Sequence, residues 1–228
     1  MNKIEEKIYN KGERCIPDVT HDAAEANRHR SRYIFFRRII EKDIVNSNFK
    51  HDLKILDLGC GVGYGSEILS NIQRSNVTGI DVSSSAIKYA QCYYNAANIK
   101  YLETDIQEFT SKMETFDYVV SSEVVEHVVD GFELFSKIRF KKLLMMSAPY
   151  LEQSGNNKYH NIFNISEGTF TDLFNVNKFY FQTIDGRMLN KNIKLMIHFK
   201  AFGIFLKIFK KFLKYDFRIN NIIAILNA

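Results

Sequence analysis

Cysteine is scarce in this 228-residue chain, and long apolar runs are missing. Cys15, Cys60 and Cys92 neither pair by number nor show metal spacing. That excludes a disulfide-stapled scaffold and leads to the expectation of a reduced, cytoplasmic compartment. No uninterrupted apolar stretch approaches the roughly 20 residues that a membrane-spanning helix needs. Residues 1–10 alternate charged with apolar side chains, where a secretory leader would carry a continuous apolar core, so no signal peptide is expected. A strong surplus of one charge is also missing, since the net charge is only +5. Its distribution is uneven: from Arg187 onward, nine lysines or arginines face a single acid, Asp216, and the rest of the chain is slightly acidic. The basicity therefore belongs to the tail, and no specific nucleic-acid partner is expected. What the chain does have is 46% hydrophobic content, enough at this length for one substantial core and one compact unit.

The densest local signal is Lys-Ile-Leu-Asp-Leu-Gly-Cys-Gly-Val-Gly-Tyr-Gly at residues 54–65. It reads as a buried strand running into a glycine-rich turn, with residues 66–72 continuing as a helix. Gly59, Gly61 and Gly63 let the backbone turn tightly and approach a ligand. A dinucleotide site would lay a pyrophosphate over such a turn. Here the strand ends in Asp57, which would repel a pyrophosphate and suits a cationic or amine-bearing cofactor.

Strand and helix signals then alternate. Strands are expected at 77–81, 99–103, 116–122, 142–147, 178–184 and 221–226, and helices at 83–97 and 132–140. A helix over 22–45 precedes them, with Tyr33, Ile34, Phe36, Ile40 and Ile44 in an apolar stripe. Such alternation implies a doubly wound α/β sheet with parallel pairing, and ligands of such sheets bind at the carboxyl ends of the strands. Asp57, the glycine turn, Asp81 with Val82, Asp105 with Ile106, and Ser122 all fall at those ends. Asp81 lies within reach of a ribose, whose two hydroxyls a carboxylate can accept.

The pattern D-x-G-x-G-x-G resembles the first motif of class I S-adenosylmethionine (SAM)-dependent methyltransferases. The resemblance implies a Rossmann-like, seven-stranded sheet, mostly parallel with strand 7 antiparallel beside strand 6. It also implies SAM as cofactor, S-adenosylhomocysteine (SAH) as product, and adenine recognition at Asp105 and Ile106. Residues 1–50 are then an N-terminal helical cap over the active site and 51–228 the methyltransferase domain. A nicotinamide-dependent oxidoreductase, the competing reading of this fold, requires G-x-G-x-x-G, whereas Gly61 is followed by Val62-Gly63-Tyr64-Gly65.

Residues 121–128, Ser-Ser-Glu-Val-Val-Glu-His-Val, resemble the loop after strand 4 in methyltransferases that act on small molecules and sugars. Methyl transfer to a hydroxyl calls for in-line placement and a base. His127 is the candidate base, with Glu126 orienting it or binding a substrate hydroxyl. The other reading has both residues open the next helix and pack beneath the cofactor. Glu123, Glu126 and His127 also form the E-x-x-E-H arrangement of ubiquinone-pathway O-methyltransferases and small-RNA 2′-O-methyltransferases, in which a divalent metal activates the hydroxyl. On a helical turn the three share one face, and His160 supplies a fourth candidate ligand, a second acid–base residue or a sugar contact. Residues 148–165 are the natural acceptor loop, and Ser-Ala-Pro followed by Tyr159-His160 resembles the passage found in sugar-modifying relatives.

Upstream, Gly-Glu-Arg-Cys-Ile-Pro at 12–17, followed by His29 and Arg32-Tyr33, resembles the preamble of bacterial methyltransferases encoded with surface-polysaccharide genes. Arg28 and Ser31 depart from it, standing where that pattern has Glu and His. Arg14, Arg32, Tyr33 and Tyr159 are accordingly expected on the substrate. The resemblance implies an O-methyltransferase acting on a sugar or nucleotide-linked precursor of a capsule or lipopolysaccharide. Metal-dependent RNA 2′-O-methylation, quinone-pathway O-methylation and a non-catalytic SAM-binding protein stay open. Between strands 6 and 7, an insertion at about 190–217 reads as a basic amphipathic helix, with Lys200, Lys207, Lys210, Lys211 and Lys214 along one side of residues 193–214. It suits a peripheral membrane contact at the inner face of the membrane, a cover over the active site, or a dimer interface.

Overall fold

The structure, a computed structural model, describes Ile8, Phe49 and residues 15–19, 22–47, 51–112, 114–198 and 218–228, with the backbone alone at 195–198. Arg14 and residues 199–217, which hold most of the expected basic helix, lie outside the described residues. Helix α1 (Ala23–Ser47) leads into β1 (Leu53–Leu58), α2 (Tyr64–Ser70), β2 (Ser75–Asp81), α3 (Ser84–Tyr93), β3 (Ile99–Glu103), α4 (Ile106–Lys112) and β4 (Phe116–Ser122). A 3-10 turn (Val125–His127) follows, then α5 (Gly131–Ser136), β5 (Phe140–Pro149), α6 (Glu167–Thr171), β6 (Val176–Thr183), β7 (Met188–Asn190), α7 (Lys191–His198) and β8 (Ile219–Asn227).

The strands form one sheet in the order β3-β2-β1-β4-β5-β8-β6-β7. Pairing from β3 to β5 is parallel, while β8 runs antiparallel between β5 and β6. The doubly wound expectation holds, and the terminal strand runs antiparallel beside β6, as β7 does on the other side. The sheet has 8 strands where seven were expected. The additional one is β7: Gly186, at φ +87, turns the chain after β6 so that Met188, Leu189 and Asn190 pair back onto Gln182, Phe181 and Tyr180. The helix expected over 132–140 ends at Ser136, because Phe140 already pairs with Phe116 as the start of β5.

Both faces of the sheet are covered, which accounts for the nearly unbroken apolar strands. Side chains alternate across it. Ile55, Tyr118, Val120, Ile223 and Ile225 pack on one side with Tyr33, Phe36 and Ile40 of α1. Leu56, Leu58, Val119, Ile222, Ala224 and Leu226 pack on the other with Phe132, Phe135, Phe170 and Phe181. Helix α1 is thereby fixed against the sheet, close to the carboxyl end of β1. Among the described residues, no helix is long and apolar enough to cross a membrane.

The junction of α1 and α2 is tight. A Cβ added at Gly65 would fall 2.2 Å from Cζ of Tyr33. Gly65→Ala is therefore expected to lower unfolding free energy by about 1–3 kcal/mol through overpacking. Urea denaturation checks this, and unchanged stability would contradict the packing described.

Candidate active site

The carboxyl end of β1 begins the site. Asp57 is fully buried, and its carboxylate accepts hydrogen bonds from Tyr33 Oη at 2.9 Å and Ser66 Oγ at 2.6 Å. Burial pushes its carboxyl up to about 6, against the two hydrogen bonds and with help from the nearby Asp81. Tyr33 is pushed well above its usual range, first by burial and then by the Asp57 charge. Asp57, expected on the cofactor, is thus an anchor that joins α1, β1 and α2 beneath the glycine turn.

The turn's own amides are spent on β2. Gly59 and Cys60 donate to the Ile80 carbonyl at 2.9 and 2.8 Å. Gly61 donates to Asp81 Oδ2 at 3.0 Å, and Ser83 donates to Asp81 Oδ1 at 2.8 Å. Those three N–H groups leave no cradle for a pyrophosphate, unlike a dinucleotide loop. Among the described residues, Gly61, at φ +54, has no atom beyond its chain neighbours within 4 Å of where a Cβ would stand, and it lines a cleft.

That cleft measures about 540 Å³. Gly59, Cys60, Gly61, Val62 and Asp81 form one wall, and Val82, Asp105, Ile106, Gln107, Val129 and Leu134 form the far end. Asp105 also caps α4, accepting from the amides of Gln107 at 2.7 Å and Glu108 at 3.4 Å. Asp81, Asp105 and Glu123 put carboxylates on the lining, to which no described lysine or arginine contributes. A second cleft of about 620 Å³ adjoins it, lined by Arg28, Glu126, Tyr150, Glu152, Asn157 and His160 among others. Cys15, His29, Glu123, His127 and Tyr159 line both. They form the wall across which bound molecules would meet.

Arg32, expected on the substrate, is 1% exposed. Its guanidinium donates to Ser122 Oγ, Gln182 Oε1, Asn221 Oδ1 and His29 Nδ1 at 3.1, 2.7, 3.2 and 2.9 Å. A buried guanidinium must have its donors satisfied, and these bonds tie α1 to the ends of β4, β6 and β8. His29 is pushed well below its usual range by burial and by Arg32 and Arg28. Cys15, Glu25 and His29 offer ligand atoms within 4.8 Å of one another. The set is poorly suited to a cation: Arg32 donates to His29 Nδ1, and burial with the Glu25 charge pushes the Cys15 thiol up to about 12.

The segment after β4 departs from the helical turn expected at 123–127. Glu123 sits at φ +57, ahead of the 3-10 turn. Its carboxylate accepts from Ser147 Oγ at 2.9 Å and Asn221 Nδ2 at 2.5 Å, so it turns away from the other ligand candidates. Glu126, His127 and His160 do converge, with ligand atoms within 4.8 Å of one another. Glu126 is buried, and its Oε1 lies 3.9 Å from His127 Nε2. His127 Nδ1 is 3.1 Å from the Tyr159 carbonyl, which can only accept, so that nitrogen carries the proton and Nε2 the lone pair. Asn161 donates its amide to the Glu126 carbonyl at 2.7 Å and its side chain to the His127 carbonyl at 2.6 Å. The acceptor loop thus clamps the turn that carries His127.

His29 entered the sequence reading within the basic run at 28–32 and through a resemblance, Asn157 only as a neighbour of Tyr159-His160, and Glu152 and Gln107 not at all. Long-range folding brings them to the clefts, and no local motif marks them.

The arrangement has counterparts among known proteins. Residues 56–139 match the methyltransferase-domain family (Methyltransf_11). The ubiquinone biosynthesis O-methyltransferase of Rickettsia typhi is 40% identical over 102 residues, 44% of this chain and 41% of that protein. The Rickettsia bellii enzyme of the same name is 41% identical over 125 residues, covering 52% of this chain and 51% of the relative. The chain thus spans about half the length of these curated relatives or less. Among solved structures, N-methyltransferase NodS from Bradyrhizobium japonicum, in complex with SAH, aligns with a TM-score of 0.58 at 15% identity, over 99% of this chain and 98% of that one. A putative sarcosine dimethylglycine methyltransferase from Galdieria sulphuraria aligns with a TM-score of 0.59 at 14% identity, over 97% of this chain and 95% of that one. These likenesses concern the fold.

The Asp57 anchor has a signature in pH. Its folded pKa of about 6 lies above the ordinary 3.8, so the folded state binds more protons between those values. The stability carried by this group is present below about pH 4 and lost as pH rises toward 6, by roughly 2–3 kcal/mol. Thermal unfolding across this range should show wild type losing stability relative to Asp57→Asn as pH rises. Parallel curves would contradict the burial described.

Proposed function

We propose that the chain is a SAM-dependent O-methyltransferase, with the methyl donor in the 540 Å³ cleft and the acceptor hydroxyl in the adjoining one. The observation that carries this reading is the shared wall, where His127 faces both clefts with its Nε2 lone pair. An acid-lined cleft suits a sulfonium cation, and the glycine turn has no three-amide cradle to offer a pyrophosphate. Asp81, on the lining of this cleft, takes the ribose hydroxyls in this reading, and Asp105 with Ile106 the adenine.

In the reaction, the acceptor oxygen bonds to the methyl carbon as the carbon–sulfur bond breaks, and the bonding pair stays on sulfur. His127 Nε2 takes the hydroxyl proton, while Tyr159 holds the ring through Nδ1. Glu126, one residue away and buried, stabilises the imidazolium that results. Holding donor and acceptor in line across one wall supplies the positional part of the acceleration.

The acceptor is best read as one of the quinone-pathway type. The relatives reported above are named for ubiquinone biosynthesis, and this chain carries E-x-x-E-H at Glu123, Glu126 and His127. The glycan acceptor inferred from the N-terminal passage gives way to it, because none of the relatives reported above is named for a glycan pathway. A divalent metal is a second reading of the same residues, favoured by the convergence of Glu126, His127 and His160. Two imidazoles and a carboxylate suit an ion of intermediate hardness, which when bound would lower the pKa of the acceptor hydroxyl. A membrane or dimer contact through 193–214 is likewise a proposal. Lys194, from its described start, is engaged with Tyr150 Oη and Glu167 Oε1, both at 2.6 Å.

Transfer of labelled methyl from SAM, assayed over hydroxylated ubiquinone precursors and nucleotide-activated sugars, tests the proposal. Methylation of the precursors is expected, and methylation of the sugars alone would restore the glycan reading. His127→Ala should lower turnover about 10²–10⁴-fold, the usual weight of a general base, with SAH affinity measured by calorimetry unchanged. Equal turnover would remove His127 from the chemistry. Activity lost on exhaustive chelation and restored by a divalent ion would establish the metal, and full activity after chelation would exclude it.

A further inference from the structure

The acceptor cleft contains a chain of hydrogen bonds whose directions can be worked out from donor and acceptor chemistry. The Tyr159 amide donates to Asn157 Oδ1 at 2.9 Å, which points the other end of that side chain, Nδ2, at His160 Nε2, 3.2 Å away. Turning the amide over would set its NH2 group against the Tyr159 N–H, donor against donor. Nδ2 can only donate, so His160 Nε2 accepts and the ring proton of the neutral imidazole lies on Nδ1. That nitrogen abuts Glu152 Oε2 in a short contact. Glu152 is fixed in turn, since its carbonyl accepts from Asn164 at 2.8 Å and the preceding Leu151 donates to Ile165 at 2.9 Å. The His160 side chain is only 5% exposed, and its ring meets that of His127 edge-on at 4.7 Å between centroids. Tyr159 contributes twice: its N–H orients Asn157, and its carbonyl accepts a hydrogen bond from His127 Nδ1–H.

We propose that Glu152 is a positioning residue, which holds His160 in the Nδ1–H tautomer and so gives the acceptor cleft a second Nε2 lone pair beside His127 and Glu126. A carboxylate behind an imidazole fixes both its tautomer and its orientation. Asn157 acts at the opposite ring nitrogen and accounts for the Nε2 lone pair while no ligand is bound. With both rings set this way by one loop, the cleft is preorganised either to relay a proton or to ligate an ion. The consequence for rate rests on the methyltransferase reading, whereas the tautomer does not.

The experiment is a long-range proton–nitrogen correlation on the full chain carrying 15N-labelled histidine, with His160 assigned by its loss in His160→Gln. In wild type, His160 is expected to be protonated on Nδ1 and bare on Nε2. Glu152→Gln should keep that pattern, because the amide oxygen accepts the same proton, whereas Glu152→Ala should populate the Nε2–H form. In turnover assays, Glu152→Ala should lower kcat about 10–100-fold, as loss of such outer partners typically does, with the KM for SAM unchanged and partial recovery in Glu152→Gln. A wild-type His160 protonated on Nε2, or on both nitrogens, overturns the proposal. So does a Glu152→Ala protein with unaltered tautomer, or one with an altered tautomer and undiminished kcat. Should Glu152→Ala fail to fold, the wild-type spectrum and Glu152→Gln decide alone. A locked tautomer in a protein that methylates no hydroxyl would refute the functional reading and leave the positioning geometry standing.

Discussion

A single carboxylate taken out of water organises this molecule. Asp57 ends the central strand β1 with no exposure, and a buried acid is tolerable only when donors from other elements reach it. Those donors are Tyr33 from α1 and Ser66 from α2. Their geometry fixes where the first helix crosses and where the second begins. The ring of Tyr33 then lies on Gly65, and edge-to-face contacts with Phe36 and Tyr64 complete the packing. The glycine turn is suspended between this anchor and the end of β2, where Ile80 and Asp81 accept its amides. The floor of the donor cleft is therefore rigid without any ligand.

Arg32 is the corresponding device on the acceptor side. Its guanidinium bonds to Ser122, Gln182 and Asn221, and through Asn221 and Ser147 the polar cluster extends to Glu123. Helix α1 thus carries both anchors on adjacent residues, Arg32 and Tyr33, which explains why a polar pair lies within an otherwise apolar stripe. Between them stand the residues common to the two clefts. Both anchors also reach the clefts, Tyr33 with Ser122 lining the first and Arg32 the second.

Much of the architecture could be read from the chain because it follows from local chemistry. Alternating strand and helix signals, and acids at successive strand ends, suffice to place Asp81, Asp105 and Ser122 along one cleft. The structural role of Asp57 was not legible in the sequence. Asp57 and Asp81 look alike in sequence, and only partners 24 and 9 residues away in the chain make one of them an anchor. The bonds that hold Arg32 come from strands more than 80 residues distant, which no local pattern reports. Glu123 left its expected ligand group because its backbone turns left-handed, and periodicity cannot report that. Glu152 carries no motif; its place follows from which atoms can donate in the folded loop.

The central claim is that the space beside Gly61 is the seat of the methyl donor. Calorimetric titration with SAH and with NAD tests it most directly, on wild type and on Gly61→Asn, asparagine being the side chain that best tolerates a left-handed backbone. Wild type should bind one SAH and no NAD, and Gly61→Asn should lose SAH while unfolding at nearly the same temperature, because at Cβ its side chain meets no described atom beyond its chain neighbours. A variant that binds SAH as wild type does, or a wild type that takes up NAD instead, would contradict the account.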